Sequence, residues 1–221
     1  FVVTSGTTLS LPGVYSYSHG STGSNQHRTW QAKNAESHLE LPNLQQITGG
    51  THYNARHFIT TEAGGGVDLS NTRQIVDSTE GDTNHRSIDI TATGAGSLIE
   101  LDQLTHYADS NAYDFGNGMY STLSALNGAE ITIPLLTEAI GVNVVVDGTS
   151  ALPLDRITRF TSGRISVTGV NRNLPELFDA TSTDFVVAGG TVSLPNLAVL
   201  RYGSINLSSG GILTAPNLYD I

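Results

Sequence analysis

The sequence predicts an all-β fold: a right-handed parallel β-helix (β-solenoid) of about nine turns, with longer, loop-bearing turns in its N-terminal half. Three observations predict it. A short apolar corner recurs along the chain at intervals of 18 to 32 residues. Between corners, apolar and polar residues alternate with the period of a strand that buries one face. The composition is that of a turn-rich β protein, with 24 Gly among 221 residues, abundant Ser, Thr and Asn, and few strong helix formers.

One turn is clearest between Phe185 and Leu200. Phe185, Val186 and Val187 form a β-favouring run, which Gly189-Gly190 breaks by admitting a positive φ. Val192 and Leu194 then flank the polar Ser193, and Pro195-Asn196 turns a corner before Leu197 and Leu200 point back inside. Proline has no N–H to give to a ladder, so it belongs at the corner. A segment this short cannot bury its apolar side alone and needs copies stacked above and below.

The chain supplies those copies. The corner occurs as Leu11-Pro12-Gly13-Val14 and Leu41-Pro42-Asn43-Leu44, then in degenerate form as Leu69-Ser70-Asn71-Thr72 and Leu101-Asp102-Gln103-Leu104. It continues as Ile133-Pro134-Leu135-Leu136, Ala151-Leu152-Pro153-Leu154, Leu174-Pro175-Glu176-Leu177, Leu194-Pro195-Asn196-Leu197 and Ala215-Pro216-Asn217-Leu218. The first four steps between corners are 28 to 32 residues and the last four 18 to 23. The simplest account is a single solenoid domain over 1–221: turns with insertions over 1–136 and regular turns over 137–221, the insertions lying on one side of the coil. Successive strands would pair in parallel at about 4.8 Å, stacking Leu on Leu inside and Asn on Asn at the bends. Leucine-rich repeats share the period, but their strand-Asn signature and helical segments are missing. A β-sandwich would not repeat one corner at one phase.

Charge narrows the function. The net charge is −10, with nine Arg and the single lysine Lys33. This balance disfavours nucleic acid and anionic membrane surfaces as partners. Cysteine is absent, which excludes disulfides and thiolate metal sites. No apolar run is long enough to span a membrane, and the start carries no basic segment followed by an apolar one.

The long turns hold the chemically versatile residues. All seven histidines fall in the first half, with Trp30 and most tyrosines. Thr51-His52-Tyr53-Asn54-Ala55 echoes Thr105-His106-Tyr107-Ala108-Asp109, and Asn25-Gln26-His27-Arg28 echoes Asn84-His85-Arg86-Ser87 and, less closely, Asn54-Ala55-Arg56-His57. Stacking would gather these side chains on one side, where flat aromatic rings and directed donors suit a glycan or a neighbouring subunit. Trp30, Tyr53, His57, His85, Tyr107 and Tyr113 are the candidate contacts; taken singly, each His or Asn fits better a ladder that satisfies backbone groups at a bend, and only as a collection do they fit a contact surface equally well.

Two acidic loops offer weak Ca²⁺ ligands, Asp77, Glu80 and Asp82 in one and Asp109 and Asp114 in the other, without the order of an EF-hand. Solvated acidic loops explain them as well, and no other cofactor is expected. No HExxH or helical His pair is present. Glu40, Asp68 and Glu100 each precede a corner leucine and form an expected acidic column, with Thr132 next and Ser166 and Ser193 further along. A hydrolase would need such carboxylates paired across a sugar bond, and a regular Thr-x-Thr face for ice binding is absent from this column.

The ends match internal turns. Phe1-Val2-Val3 repeats Phe185-Val186-Val187, and Leu218-Tyr219-Asp220-Ile221 matches Leu177-Phe178-Asp179-Ala180. Polar caps are missing at both, so Phe1, Val2, Val3, Leu218, Tyr219 and Ile221 are expected to carry an assembly interface, either between copies stacked head to tail or within a longer solenoid. The LPNL corner with its Gly-Gly turn resembles the β-solenoid repeats of large secreted and surface proteins of planctomycetes and other environmental bacteria. The resemblance implies an adhesin, stalk or sheath component, and it carries no catalytic residue over to this chain. The expectation is an extracellular or cell-surface structural, adhesive filament protein and not an enzyme; a carbohydrate-binding or polysaccharide-degrading (lyase or hydrolase) β-helix is the alternative.

Overall fold

The computed structural model describes residues 1–110 and 120–221. The chain is all-β, and among the described residues there is no helix. Its strands lie in parallel, stacked sheets, the arrangement of a β-solenoid. One face is a nine-stranded sheet: Val2–Val3, His27–Lys33, Arg56–Glu62, Ser87–Thr93, Ser121–Leu126, Val142–Asp147, Arg164–Thr168, Asp184–Ala188 and Ser204–Ser208. Each of these strands leads into the second face. That face is a five-stranded sheet from Thr8–Ser10 to Glu130–Thr132, followed by a three-stranded one from Arg172–Asn173 to Ile212–Thr214. The third face has six strands, from Ser16–Ser18 to Arg159–Thr161, and continues as single bridges through Asp179, Val199 and Asp220.

Register follows the period-two pattern. Trp30, Ile59, Ile90, Leu123, Val144, Ile165 and Phe185 pair in one column along the nine-stranded face, and all are buried. Between the second and third faces the apolar corner closes as a β-turn, the fourth residue donating its N–H to the first: Leu44 to Leu41 at 3.0 Å, Leu104 to Leu101 at 2.9 Å, Leu197 to Leu194 at 3.3 Å. Proline fits the second position because its φ is preset. The asparagine at the third position does not simply lie on the next asparagine. Its side-chain amide donates to the proline carbonyl one turn back: Asn43 to Pro12 at 2.8 Å, Asn196 to Pro175 at 2.7 Å and Asn217 to Pro195 at 2.7 Å. The corner residue that interrupts the chain is thus also the one that binds successive turns.

One corner differs from its expected position. Ile157 donates to Leu154, so the turn is Leu154-Asp155-Arg156-Ile157 and not Ala151-Leu152-Pro153-Leu154. Ala151 bridges Glu130, which puts Leu152 in the core place of Ile131 and Pro153 in the outward place of Thr132. Proline cannot donate there, and the strand shrinks to that bridge. With this shift, corners after Leu136 close at 157, 177, 197 and 218, every 20 or 21 residues.

The extra residues of the early turns all fall at the corner leading from the third face back to the first. Among the described residues these are 19–26, 49–55 and 78–86, against Gly141 alone and Ser162-Gly163 in later turns. The opposite corner, from first to second face, is tight. There Gly190 has φ +81°, and a Cβ on it would lie 2.2 Å from the carbonyl oxygen of Val170.

Candidate functional site

At the insertion corner the last residues of two third-face strands stack in register, Asp77 on Asp109. Both carboxylates are buried. Gly49 makes the space, since a Cβ there would sit 2.2 Å from Asp77 Oδ1. The guanidinium of Arg86, fully buried, comes to 3.3 Å from Asp77 and donates to the carbonyls of Glu80 at 2.6 Å and of Ser78. Asp109 accepts from the N–H and hydroxyl of Ser121 at 3.0 and 2.9 Å. Burial, and next the Asp109 charge, push the Asp77 carboxyl up to about 7, against the pull of Arg86. Chemically this is an internal ion cluster, with the cation supplied by the chain.

These are the residues read as solvated acidic loops or Ca²⁺ ligands. Asp77 and Asp109 are instead interior and already face Arg86 or Ser121. Glu80 and Asp82 are exposed, and Asp82 accepts from Asn84 at 2.8 Å. Asp114 and Tyr113 lie outside the described residues. No cluster of three or more acidic or histidine side chains with metal-site geometry occurs among the described residues.

The candidate contact residues divide. Trp30, His57 and Tyr107 are buried, not available on a surface. Tyr107 pairs with Ile75 on the third face, points inward, and donates its hydroxyl to the carbonyl of Ile88. It therefore does not stack with Tyr53, which lies in the connection before Arg56–Glu62. Tyr53 and His85 do meet at the surface, ring centroids 5.3 Å apart and edge to face. Asn25, Asn54 and His85 share a positive φ of 53° to 59°, so the third copy aligns through His85, one residue past the Asn84 echo.

Trp30 and His57 belong to an aromatic enclosure. Their centroids are 4.5 Å apart at 86°, and Tyr17 is 4.7 Å from Trp30 and 4.8 Å from His57. Neither ring nitrogen of His57 has a hydrogen-bond partner among the described residues. Burial, then the charges of His19, the Phe1 amino group and Arg28, lower its pKa to about 3. His19 is also buried, pairs through Nε2 with the Arg56 carbonyl at 3.2 Å, and is lowered chiefly by burial.

The acidic column exists as expected on the second face, Ser10-Glu40-Asp68-Glu100-Thr132 in register. Ser166 is not part of it; it pairs with Val145 and Val186 on the nine-stranded face, while Ser193 pairs with Asn173 and Thr214. Gly66 separates His38 from Leu98 beside the column and leaves a hollow of about 190 Å³ edged by Glu40, Asp68 and Glu100. Burial and the neighbouring Asp68 and Asp102 raise the Glu100 carboxyl.

The two end faces are apolar. Phe1 and Val2 are exposed at one, while Val3 is buried. At the other, Ile205 and Leu207 are 41% and 50% exposed, although their partners one turn inward, Phe185 and Val187, are fully buried. Tyr219 and Ile221 are exposed there, and Leu218 packs partly against the core. Sequence reasoning missed Arg86 and Tyr17; only laying the turns in register, with Gly49 under Asp77, would have signalled the buried arginine. Family models, curated proteins and solved structures contain no match to this chain.

Proposed function

We propose that this chain is an extracellular structural or adhesive β-solenoid, a right-handed coil of about nine turns that stacks end to end, as a fibre or as a segment of a larger surface protein. The observation that carries the reading is the pair of end faces. Ile205 and Leu207 at one, and Phe1 at the other, expose side chains in columns that inner turns bury. Free strand edges are normally guarded by charge, proline or a covering element. Here no Asp, Glu, Lys or Arg occurs from Phe1 to Gln26, nor from Tyr202 to Tyr219. A coil of the same cross-section would extend the hydrogen-bond ladders and cover the apolar columns, and a contact of that kind does not close on itself. Glycan adhesion would use the exposed Tyr53–His85 pair. Electron microscopy and sedimentation across a concentration series test the reading: filaments lengthening with concentration, lost in Leu207→Lys, are expected, and monodisperse single chains at high concentration would sink end-to-end assembly.

A second reading, a carbohydrate-binding or polysaccharide-degrading β-helix, draws on the hollow beside Glu40, Asp68 and Glu100. Release of reducing or unsaturated sugars from a glycan panel, abolished by Asp68→Asn, would replace the structural reading with this one.

A further inference from the structure

His57 is a titratable group sealed inside an aromatic enclosure. Trp30 and Tyr17 pack on its ring, and Ile88 is its register partner one turn on. The charged and titratable groups around it come from several elements. Arg28 is its register partner one turn back, His19 comes from the connection preceding that strand, and the amino group of Phe1 acts from the first strand. On its own strand, Arg56 turns its guanidinium away to Asp89 and Ser87, at 2.8 and 2.9 Å. His27 stands on the outer face against Phe58. Tyr17 keeps its hydroxyl proton, its pKa raised by burial. Among the described residues, the charges acting on the imidazole are those of Arg28, the Phe1 amino group and, when protonated, His19, all of them cationic. A proton added to His57 would create a buried cation among cations. The ring faces of Trp30 and Tyr17 would offset part of that cost, but not the loss of water from both nitrogens.

We propose that His57 and its aromatic enclosure form an acid-operated latch, in which protonation of the imidazole opens the packing of the N-terminal turns around Trp30. The closed form binds the proton only near pH 3, while an opened, solvated imidazole binds it near 6.5. Acid therefore favours the open form, by about 100-fold on going from pH 7.5 to 4.5. Opening exposes Trp30 and the apolar side of His27–Lys33, leaving the later turns, which contact only their neighbours, intact. The latch does not depend on the assembly reading.

Trp30 is the single tryptophan of the chain and reports the event directly. The experiment is a pH titration of the full chain, following Trp30 emission and its quenching by acrylamide, with far-UV circular dichroism as the measure of total sheet. The expected result is a reversible red shift and a several-fold rise in quenching below about pH 6, with the sheet signal retained. In His57→Phe, which keeps a ring and removes the titration, emission should stay constant until the sheet signal itself falls. A wild-type profile that is flat to pH 4, or one that His57→Phe reproduces, would overturn the latch. Should that variant fail to fold, the His57 ring carbon shift in wild-type protein decides: titration near 6.5 with Trp30 still shielded overturns it, and titration together with the Trp30 change upholds it.

Discussion

Replacing Arg86 with Met tests the buried ion cluster at the insertion corner. Methionine fills most of the volume but removes the guanidinium from beside Asp77 and its hydrogen bonds to the Ser78 and Glu80 carbonyls. Removing one partner of a buried pair costs about 3–5 kcal/mol when the other stays charged. The cost must depend on pH, with a definite sign. The folded-state Asp77 pKa of about 7 lies above its ordinary 3.8, so the folded chain holds the proton more tightly than the unfolded one. The stability contributed by Asp77 is then greatest below about pH 4 and is lost as pH rises through 7, by at most roughly 4 kcal/mol at about 1.4 kcal/mol per unit. Without Arg86 the carboxyl rises further and the loss continues to higher pH at the same slope. At pH 5, where Asp77 is protonated, Arg86→Met should cost only the two carbonyl hydrogen bonds, about 2 kcal/mol. At pH 8 it should cost the full ion-pair penalty, and adding Asp77→Asn should recover most of the difference. Urea unfolding followed by far-UV circular dichroism at both pH values measures this. An equal cost at pH 5 and pH 8, with no rescue by Asp77→Asn, would refute the reasoning.

The other predictions concern the repeat itself. Gly190→Ala forces a methyl group toward the Val170 carbonyl at φ +81°; a loss of about 1–3 kcal/mol is expected, read as a lowered melting temperature. Asn196→Ala removes the 2.7 Å bond to the Pro175 carbonyl and should cost about 1 kcal/mol, with Asn196→Asp no better because it cannot donate. Glu138→Gln breaks the surface ladder to His106 at 2.9 Å and Arg159 at 3.0 Å. Its cost should stay below about 1 kcal/mol and fade in molar salt, which a chemical-denaturation series at two ionic strengths would show.

Most of the coil is written in the sequence because each turn touches the next copy of itself. Like residues stack on like, so comparing the chain with itself reveals Leu41 to Leu44, Leu194 to Leu197, the Gly189-Gly190 turn and the Glu40-Asp68-Glu100 column. Where two apolar patterns overlap, as in Ala151-Leu152-Pro153-Leu154, only the Ile157–Leu154 hydrogen bond shows which leucine closes the corner. Facing is harder still. A slip of one residue turns every side chain to the opposite side of a strand, and insertions of unequal length hide that slip. That is why Tyr107 resembles Tyr53 yet points into the core, and why the Asn84 echo is displaced by one. Trp30 and His57 look like surface chemistry until register places them inward among Tyr17 and Ile88. The sequence alone determined the repeat, the side that carries the insertions and the apolar columns, since these depend on spacing along one chain. Only the tertiary structure decided that Arg86 is buried, because its charge is tolerable only beside Asp77, which is itself held inside by the bare backbone of Gly49 from the turn before and stacks on Asp109 from the turn after.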